Sequence, residues 1–268
     1  MDAPKVVILC GGQGTRLREE TEFKPKPLVE IGGLPILWHI MKHYSHHGCD
    51  SFILCLGYKG RMIKEFFMDY EWDVFDFSIN LRSKEHTWHR THNIEDWKIT
   101  FANTGEKTLT AGRIKMIERH IPIGDEYFLL TYGDGVSDVD LGKLIAFHKK
   151  KGRLVTITGV RPRGKFGILD VKEDMVTNFI EKPPSNDYIN GGFMVIDRRI
   201  FAHIPEDATD LAFETAILPQ LAQHGELALY PHDGFWHAMD TYKDFQDLNA
   251  LWENHPPWRS WEHHPRRS

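Results

Sequence analysis

The sequence predicts an α/β fold with a mostly parallel central sheet flanked by helices. Two observations carry this expectation. Short apolar runs such as KVVILC (Lys5–Cys10) and SFILCL (Ser51–Leu56) have no polar face, as expected of strands buried on both sides. These runs also alternate with amphipathic segments, the pattern of strand–helix–strand units whose ligands bind at the carboxyl ends of the strands.

The elements follow in order. After the first strand, Pro35 can open a helix in which Ile36, Leu37, Ile40, Met41 and Tyr44 recur at helical spacing, with Gly48 beyond its end. The strand Ser51–Leu56 leads to a helix around Met62–Phe67. Further strands are expected at Tyr127–Thr131 and Leu154–Val160, with a helix around Leu141–Lys149 between them. In the second half, Phe166–Val171 and Val176–Glu181 read as a hairpin closed through Glu173–Asp174. Phe193–Ile196 reads as a short strand, and Leu211–Gln223 and Tyr242–Trp252 as helices. Within Glu71–Thr108, FDFSIN alternates like a half-exposed strand, and SKEHTWHRTHNIED reads as a polar loop. Without a linker or internal repeat, residues 1–268 are expected to form one domain.

Bulk composition narrows the chemistry. The chain has 268 residues, 41% hydrophobic and 26% charged, with a formal net charge of -5. That balance argues against nucleic acid as a partner, because a phosphate backbone needs a basic face. An anionic ligand would have to be held by a few local cations. Cys10, Cys49 and Cys55 lie in or beside apolar runs and read as reduced, packed thiols. No apolar run approaches 18 residues, so neither membrane spanning nor export is expected, and a cytoplasmic protein is.

The stretch LCGGQGTRLREETEFKPKP (Leu9–Pro27) carries the functional signal. Its glycines let backbone amides approach a phosphate closely, while Arg16, Lys24 and Lys26 add positive charge. It contains no GxxxxGK[ST] P-loop string, and a GxGxxG register beginning at Gly12 meets Leu17 at the third glycine. A P-loop enzyme and a dinucleotide oxidoreductase are both disfavoured.

The string GGxGTRL, the following KPKP and the segment VEIGGLPILWHIMKHY resemble the sugar-1-phosphate nucleotidylyltransferases, from about Lys5 to Glu262. EDWKITFANTGEKTLTAGRI, FLLTYGDGVSDVD, INGGFMVID and GFWHAMDTYKD resemble the glucose-1-phosphate cytidylyltransferase branch. The resemblance implies a Rossmann-like nucleotidyltransferase fold, with a nucleotide-binding core over about 5–160 and a sugar-phosphate part over about 161–262 that includes the small hairpin. It also implies a homo-oligomer, with CTP and a sugar 1-phosphate as substrates and Mg²⁺ as cofactor. The same chemistry with UTP, dTTP or another sugar 1-phosphate, or a non-catalytic nucleotide-sugar-binding regulator, remains open at this point.

The family reaction joins a sugar phosphate oxygen to the α-phosphate of a nucleoside triphosphate and releases pyrophosphate. The attacking oxygen is already ionised near neutral pH, since its second pKa is about 6. The protein must therefore align two anions and neutralise charge, and no activated serine, cysteine or histidine is required.

By resemblance, Asp134 and Asp240 are the metal ligands, and with Arg16 and Lys26 they form the catalytic set. Leu9, Gly11, Gly12, Gly14, Thr15 and Gly133 would line the nucleotide, Arg16 and Lys26 would hold its phosphates, and Thr108 and Arg113 in TLTAGR would contact it. Lys182, Asn190, Gly191 and Glu214 match the sugar-phosphate side. Ala111 stands where the branch has glycine, and Phe213 where it has tryptophan.

Each carboxylate also has a simpler explanation: Asp134 as a turn residue between two glycines, Asp240 as the cap of the helix from Tyr242. Four features have bland readings. Lys24 is expected to be solvated. The histidines His39, His43, His46 and His47 are expected to form a solvated helix face, and HTWHRTH (His86–His92) a polar loop rather than a zinc site. Trp258 and Trp261 are expected to pack on the domain or a neighbouring subunit.

Overall fold

Seven strands form the central sheet of the computed structural model, which describes residues 3–89, 94–162, 167–181, 185 and 187–263. In chain order they are β1 (Val6–Cys10), β2 (Ser51–Leu56), β3 (Lys98–Asn103), β4 (Tyr127–Tyr132), β5 (Val155–Val160), β6 (Ile189–Asp197) and β7 (Leu227–His232). Their spatial order is β7-β5-β6-β4-β1-β2-β3. Only β6 runs antiparallel to its neighbours; β3, β2, β1 and β4 are mutually parallel, as are β5 and β7. The mostly parallel sheet expected from the sequence is present, and residues from both halves of the chain build it.

The continuous apolar runs are explained by burial on both faces. Alternate β1 residues enter two different hydrophobic clusters: Val6, Ile8 and Cys10 face one, Val7 and Leu9 the other. Helix α1 (Ile36–His46) covers the first face, and helix α2 (Thr110–Met116) together with the segment from Phe213 to Gln223 covers the second.

The hairpin pairs Ile168–Lys172 with Met175–Ile180, and Glu173 and Asp174 turn at positive φ as the sequence suggested. The start of the predicted first hairpin strand, Phe166, and the last histidine of HTWHRTH, His92, lie outside the described residues.

Three expectations are corrected. The polar loop is partly a strand: His86–His89 pairs antiparallel with Asp76–Ile79. Trp88 supplies the reason, packing against Phe77 and Trp72 with ring centroids 5.1 and 5.3 Å away. Lys24 is not simply solvated, because its ammonium pairs with Glu30 at 2.9 Å.

The third correction concerns the helix histidines, which do not form a solvated face. His39 and His43 are 0% and 2% exposed, and Nε2 of each meets a backbone carbonyl, Ile31 O at 2.9 Å and Val139 O at 3.0 Å. The C-terminal aromatics account for His39: Trp252 and Trp258 pack edge-on to its ring, and Trp258 is fully buried.

Burial lowers the His39 pKa to about 4 and the His43 pKa to about 3, from 6.5. Both rings are neutral when folded, so their contribution to stability is complete above pH 6.5. It falls as acid protonates the unfolded chain first, by about 1.4 kcal/mol per pH unit for each fully titrating histidine. Urea unfolding should therefore show a loss of stability between pH 7.5 and 5.5. His43→Gln should shrink that pH dependence, and an unchanged slope would remove His43 as its source.

Candidate active site

The parallel arrangement of β1 and β4 creates the site. Leu9 pairs with Tyr132 at the carboxyl ends of these adjacent strands, so the glycine loop after β1 and the Gly133–Asp134 turn after β4 leave the sheet side by side. Gly133 permits the close approach: a Cβ there would lie 3.1 Å from Pro27 Cγ and 3.2 Å from Leu9 O.

A cleft opens at this junction, lined by Leu9, Gly12, Gly14, Thr15, Arg16, Lys26, Gly133, Asp134 and Asp240, together with Cys10 and Pro27. A Cβ on Gly12 would meet no atom within 4 Å and would project into open space. Gly14 has φ +64° and lies against Thr21, so backbone conformation and packing favour glycine there.

Asp240 reaches the cleft by a second route. Trp236–Ala238 pairs antiparallel with Gly135–Ser137, and the Met239 amide donates to the Asp134 carbonyl at 2.8 Å. This ribbon fixes residues 134 and 240 side by side. Asp240 does not cap the following helix. Thr241 does, in a reciprocal capping box with Asp244, which leaves the Asp240 carboxylate available.

Lys26 is the centre of the arrangement. It opens a short 3₁₀ turn (Lys26–Leu28) preceded by Pro25 at φ -67° and ψ 148°. The KPKP string thus fixes the backbone that aims the ammonium. Lys26 Nζ donates to Asp134 Oδ2 at 2.6 Å and to Asp240 Oδ1 at 2.7 Å, and Arg16 Nη2 lies 3.0 Å from the same Asp240 oxygen. Burial pulls the Lys26 pKa down, but attraction and hydrogen bonding from the two aspartates outweigh it, so the net shift is upward. Lys26 is therefore charged near neutral pH. Its side chain is 11% exposed, whereas that of Arg16 is 74% exposed.

Gly11, Thr108 and Arg113 do not line the cleft. Arg113 lies behind the glycine loop, 4% exposed, and donates to Leu56 O, Thr104 Oγ1 and Gly11 O at 3.2, 2.6 and 3.2 Å. A Cβ on Gly11 would overlap this guanidinium. Thr108 lies in the turn before α2, half-buried.

Asn190 and Glu214 converge on the Tyr132 hydroxyl, and Gly191 lies beside Trp236 of the ribbon. Tyr132 Oη donates to Glu214 Oε1 at 2.6 Å and accepts from Asn190 Nδ2 at 3.2 Å, and Gly191 O accepts from Trp236 Nε1 at 2.7 Å. Lys182 lies outside the described residues. Sequence reasoning missed Tyr132, whose only signal was its place immediately before Gly133–Asp134.

Chemically, the cleft offers carboxylates, cations and backbone, without an activated nucleophile. Cys10 lines it, but burial and neighbouring groups raise that thiol's pKa well above its ordinary value, which disfavours the thiolate. Among the described residues no group of three or more His, Cys, Asp or Glu side chains could hold a metal ion. Also among the described residues, no helix is long and apolar enough to cross a membrane.

Comparison with known proteins agrees with this inventory. The nucleotidyl transferase family model matches residues 5–255. The chain is 48% identical over 258 residues to a Bacillus subtilis (strain 168) protein named "Probable glucose-1-phosphate cytidylyltransferase", covering 96% of this chain and all of that one. It is 46% identical over 260 residues to the glucose-1-phosphate cytidylyltransferase of Salmonella typhimurium (strain LT2), with the same coverage. The crystal structure of HddC from Yersinia pseudotuberculosis superposes with a TM-score of 0.68 at 25% identity, covering 93% of this chain and 100% of that one. The chain belongs to the nucleotidyl transferase family, and within it resembles the glucose-1-phosphate cytidylyltransferases.

Proposed function

We propose that this protein transfers a cytidylyl group from CTP to α-D-glucose 1-phosphate, giving CDP-glucose and pyrophosphate. The observation that carries the reaction type is the bridge of Lys26 between Asp134 and Asp240 at the mouth of the glycine loop. The 46–48% identity to glucose-1-phosphate cytidylyltransferases supports the choice of base and sugar.

In this reading the loop Gly11–Thr15 receives the nucleotide through backbone amides, backed by Arg113 through Gly11 O. Arg16 is exposed enough to swing onto the outer phosphates. Lys26 shifts its hydrogen bonds from the aspartates to the α-phosphate, where negative charge is shared as the sugar phosphate attacks in line. The ionised sugar phosphate needs no base.

Asp134 and Asp240 suit Mg²⁺. Both are hard oxygen donors converging on one cation position, and Mg²⁺ takes one or two carboxylates and completes its shell with water and substrate phosphates. When bound, the ion neutralises phosphate charge and fixes the geometry of transfer. Asn190, Gly191 and Glu214 form the sugar side, which gives residues of about 161–262 the sugar role and about 5–160 the nucleotide role. The hairpin exposes Val171, Met175 and Phe179 at 59–69%, an apolar surface suited to burial in a homo-oligomer.

The reading is tested by following CDP-glucose and pyrophosphate formation from CTP and glucose 1-phosphate in Mg²⁺. Both products should appear in equal amounts. Tight CTP binding without pyrophosphate release would instead identify a non-catalytic nucleotide-binding protein.

A further inference from the structure

Tyr132 ends β4, one residue before Gly133, and its ring is fixed by a neighbour with no side chain. Gly192 has φ +82°, and a Cβ on it would lie 2.6 Å from Tyr132 Cδ2. The hydroxyl donates to Glu214 Oε1 and accepts from Asn190 Nδ2. The other Glu214 oxygen accepts from Thr110 Oγ1 at 2.6 Å, and Thr110 in turn accepts from the Phe213 amide at 2.7 Å. The Asn190 carbonyl oxygen accepts from the Gly192 amide at 2.9 Å. Glu214 lies in a single π-helical turn, Phe213–Ile217, an uncommon conformation often found at functional sites.

Counting lone pairs shows what this network leaves available. An ionised carboxylate only accepts, and each of its oxygens can take about two hydrogen bonds. Each Glu214 oxygen has one protein donor, so each retains acceptor capacity. Asn190 retains one N–H. The result is a rigid pair of acceptors with a donor beside it, anchored to a tyrosine two residues before Asp134 that pairs with the cleft residue Leu9. The complementary ligand is a polyol with adjacent hydroxyls, of which two donate and one accepts.

Building on the proposed reaction, we infer that Tyr132 is a positioning residue that holds Glu214 and Asn190 as one unit for the hydroxyls of the sugar 1-phosphate. It touches the sugar only through those two side chains. A freely rotating glutamate would have to lose its rotamer freedom on binding the substrate, and the two hydroxyl donors of Tyr132 and Thr110 remove that cost beforehand.

Tyr132→Phe removes one oxygen and keeps the ring against Gly192. Its KM for glucose 1-phosphate should rise about five- to tenfold, the scale of ordering one side chain on binding, while kcat and the KM for CTP stay within about twofold. Calorimetric affinity for CDP-glucose should fall by the same factor, with CTP affinity unchanged. In a Glu214→Gln background, adding Tyr132→Phe should raise sugar-phosphate KM by clearly less than it does alone, because the part of its effect that passes through the Glu214 carboxylate is already lost. Thr110→Val, which removes the other donor, should reproduce the single-variant result and serves if Tyr132→Phe fails to fold.

Equal losses for CTP and sugar phosphate, or full additivity with Glu214→Gln, would overturn the inference. So would a wild-type protein that binds CDP-glucose no better than CTP. A wild-type protein that binds CDP-glucose more tightly than CTP, with the expected variant losses, yet makes none, would overturn the proposed reaction and leave this inference standing.

Discussion

Asp134→Asn should lower turnover by at least about tenfold, with the fold intact. The substitution preserves shape at the end of β4 and deletes one of two negative charges facing Lys26. In the free protein the change is mild, because Lys26 keeps its contact with Asp240 at 2.7 Å. In the reacting complex the loss is larger, since one of the two cleft carboxylates proposed to hold a divalent ion is gone. Steady-state pyrophosphate release and thermal unfolding together decide the point. Near-normal turnover would remove Asp134 from the reacting centre, and a collapse of the melting transition would make its role structural.

Lys26→Met should act in two opposite directions. Turnover should fall about a hundredfold or more, the usual scale for deleting one preorganised donor to developing charge. Affinity for a free divalent cation should rise, because Asp134 and Asp240 lose the ammonium that now neutralises them. Lysine and arginine together balance the two aspartates in the free protein. A divalent ion arriving alone therefore finds little net negative charge, and one arriving with a nucleotide brings its own phosphate ligands. Titration of Mn²⁺ into nucleotide-free wild type and Lys26→Met, followed by electron paramagnetic resonance, reads this directly. Equal Mn²⁺ affinity in the two proteins would show that the Lys26 ammonium does not compete for the position between the carboxylates.

Much of the fold was legible because burial on both faces leaves a simple trace. β1, β2, β4 and β5 are nearly uninterrupted apolar runs, and each lies within one or two residues of its expected bounds. β3 was missed because it is an edge strand: in KITFAN only Ala102 is fully buried, so the run never looks hydrophobic. β7 was missed for a similar reason, its residues alternating between half-buried and exposed. His39 and His43 were misjudged because the partners that bury them, Trp252, Trp258 and the Val139 carbonyl, lie about a hundred or more residues away in sequence.

The candidate site was legible where local strings specify it. Gly12, Gly14, Thr15, Arg16, Lys26, Asp134 and Asp240 converge on one cleft although Lys26 and Asp240 are 214 residues apart. Tyr132 was hidden for the opposite reason. It directly follows the expected strand Tyr127–Thr131, and its partners Asn190 and Glu214 are 58 and 82 residues distant. Arg113 was expected at the nucleotide, and the fold places its guanidinium beneath the loop, where it fixes the carbonyl of Gly11.

Nucleotide choice decides whether this cleft joins CTP to glucose 1-phosphate. Pyrophosphate release measured with glucose 1-phosphate and Mg²⁺ across CTP, UTP, dTTP, ATP and GTP tests it most directly. The highest kcat/KM should be with CTP, accompanied by CDP-glucose in equal amount. Best turnover with dTTP or ATP, or no release with any of the five, would contradict it.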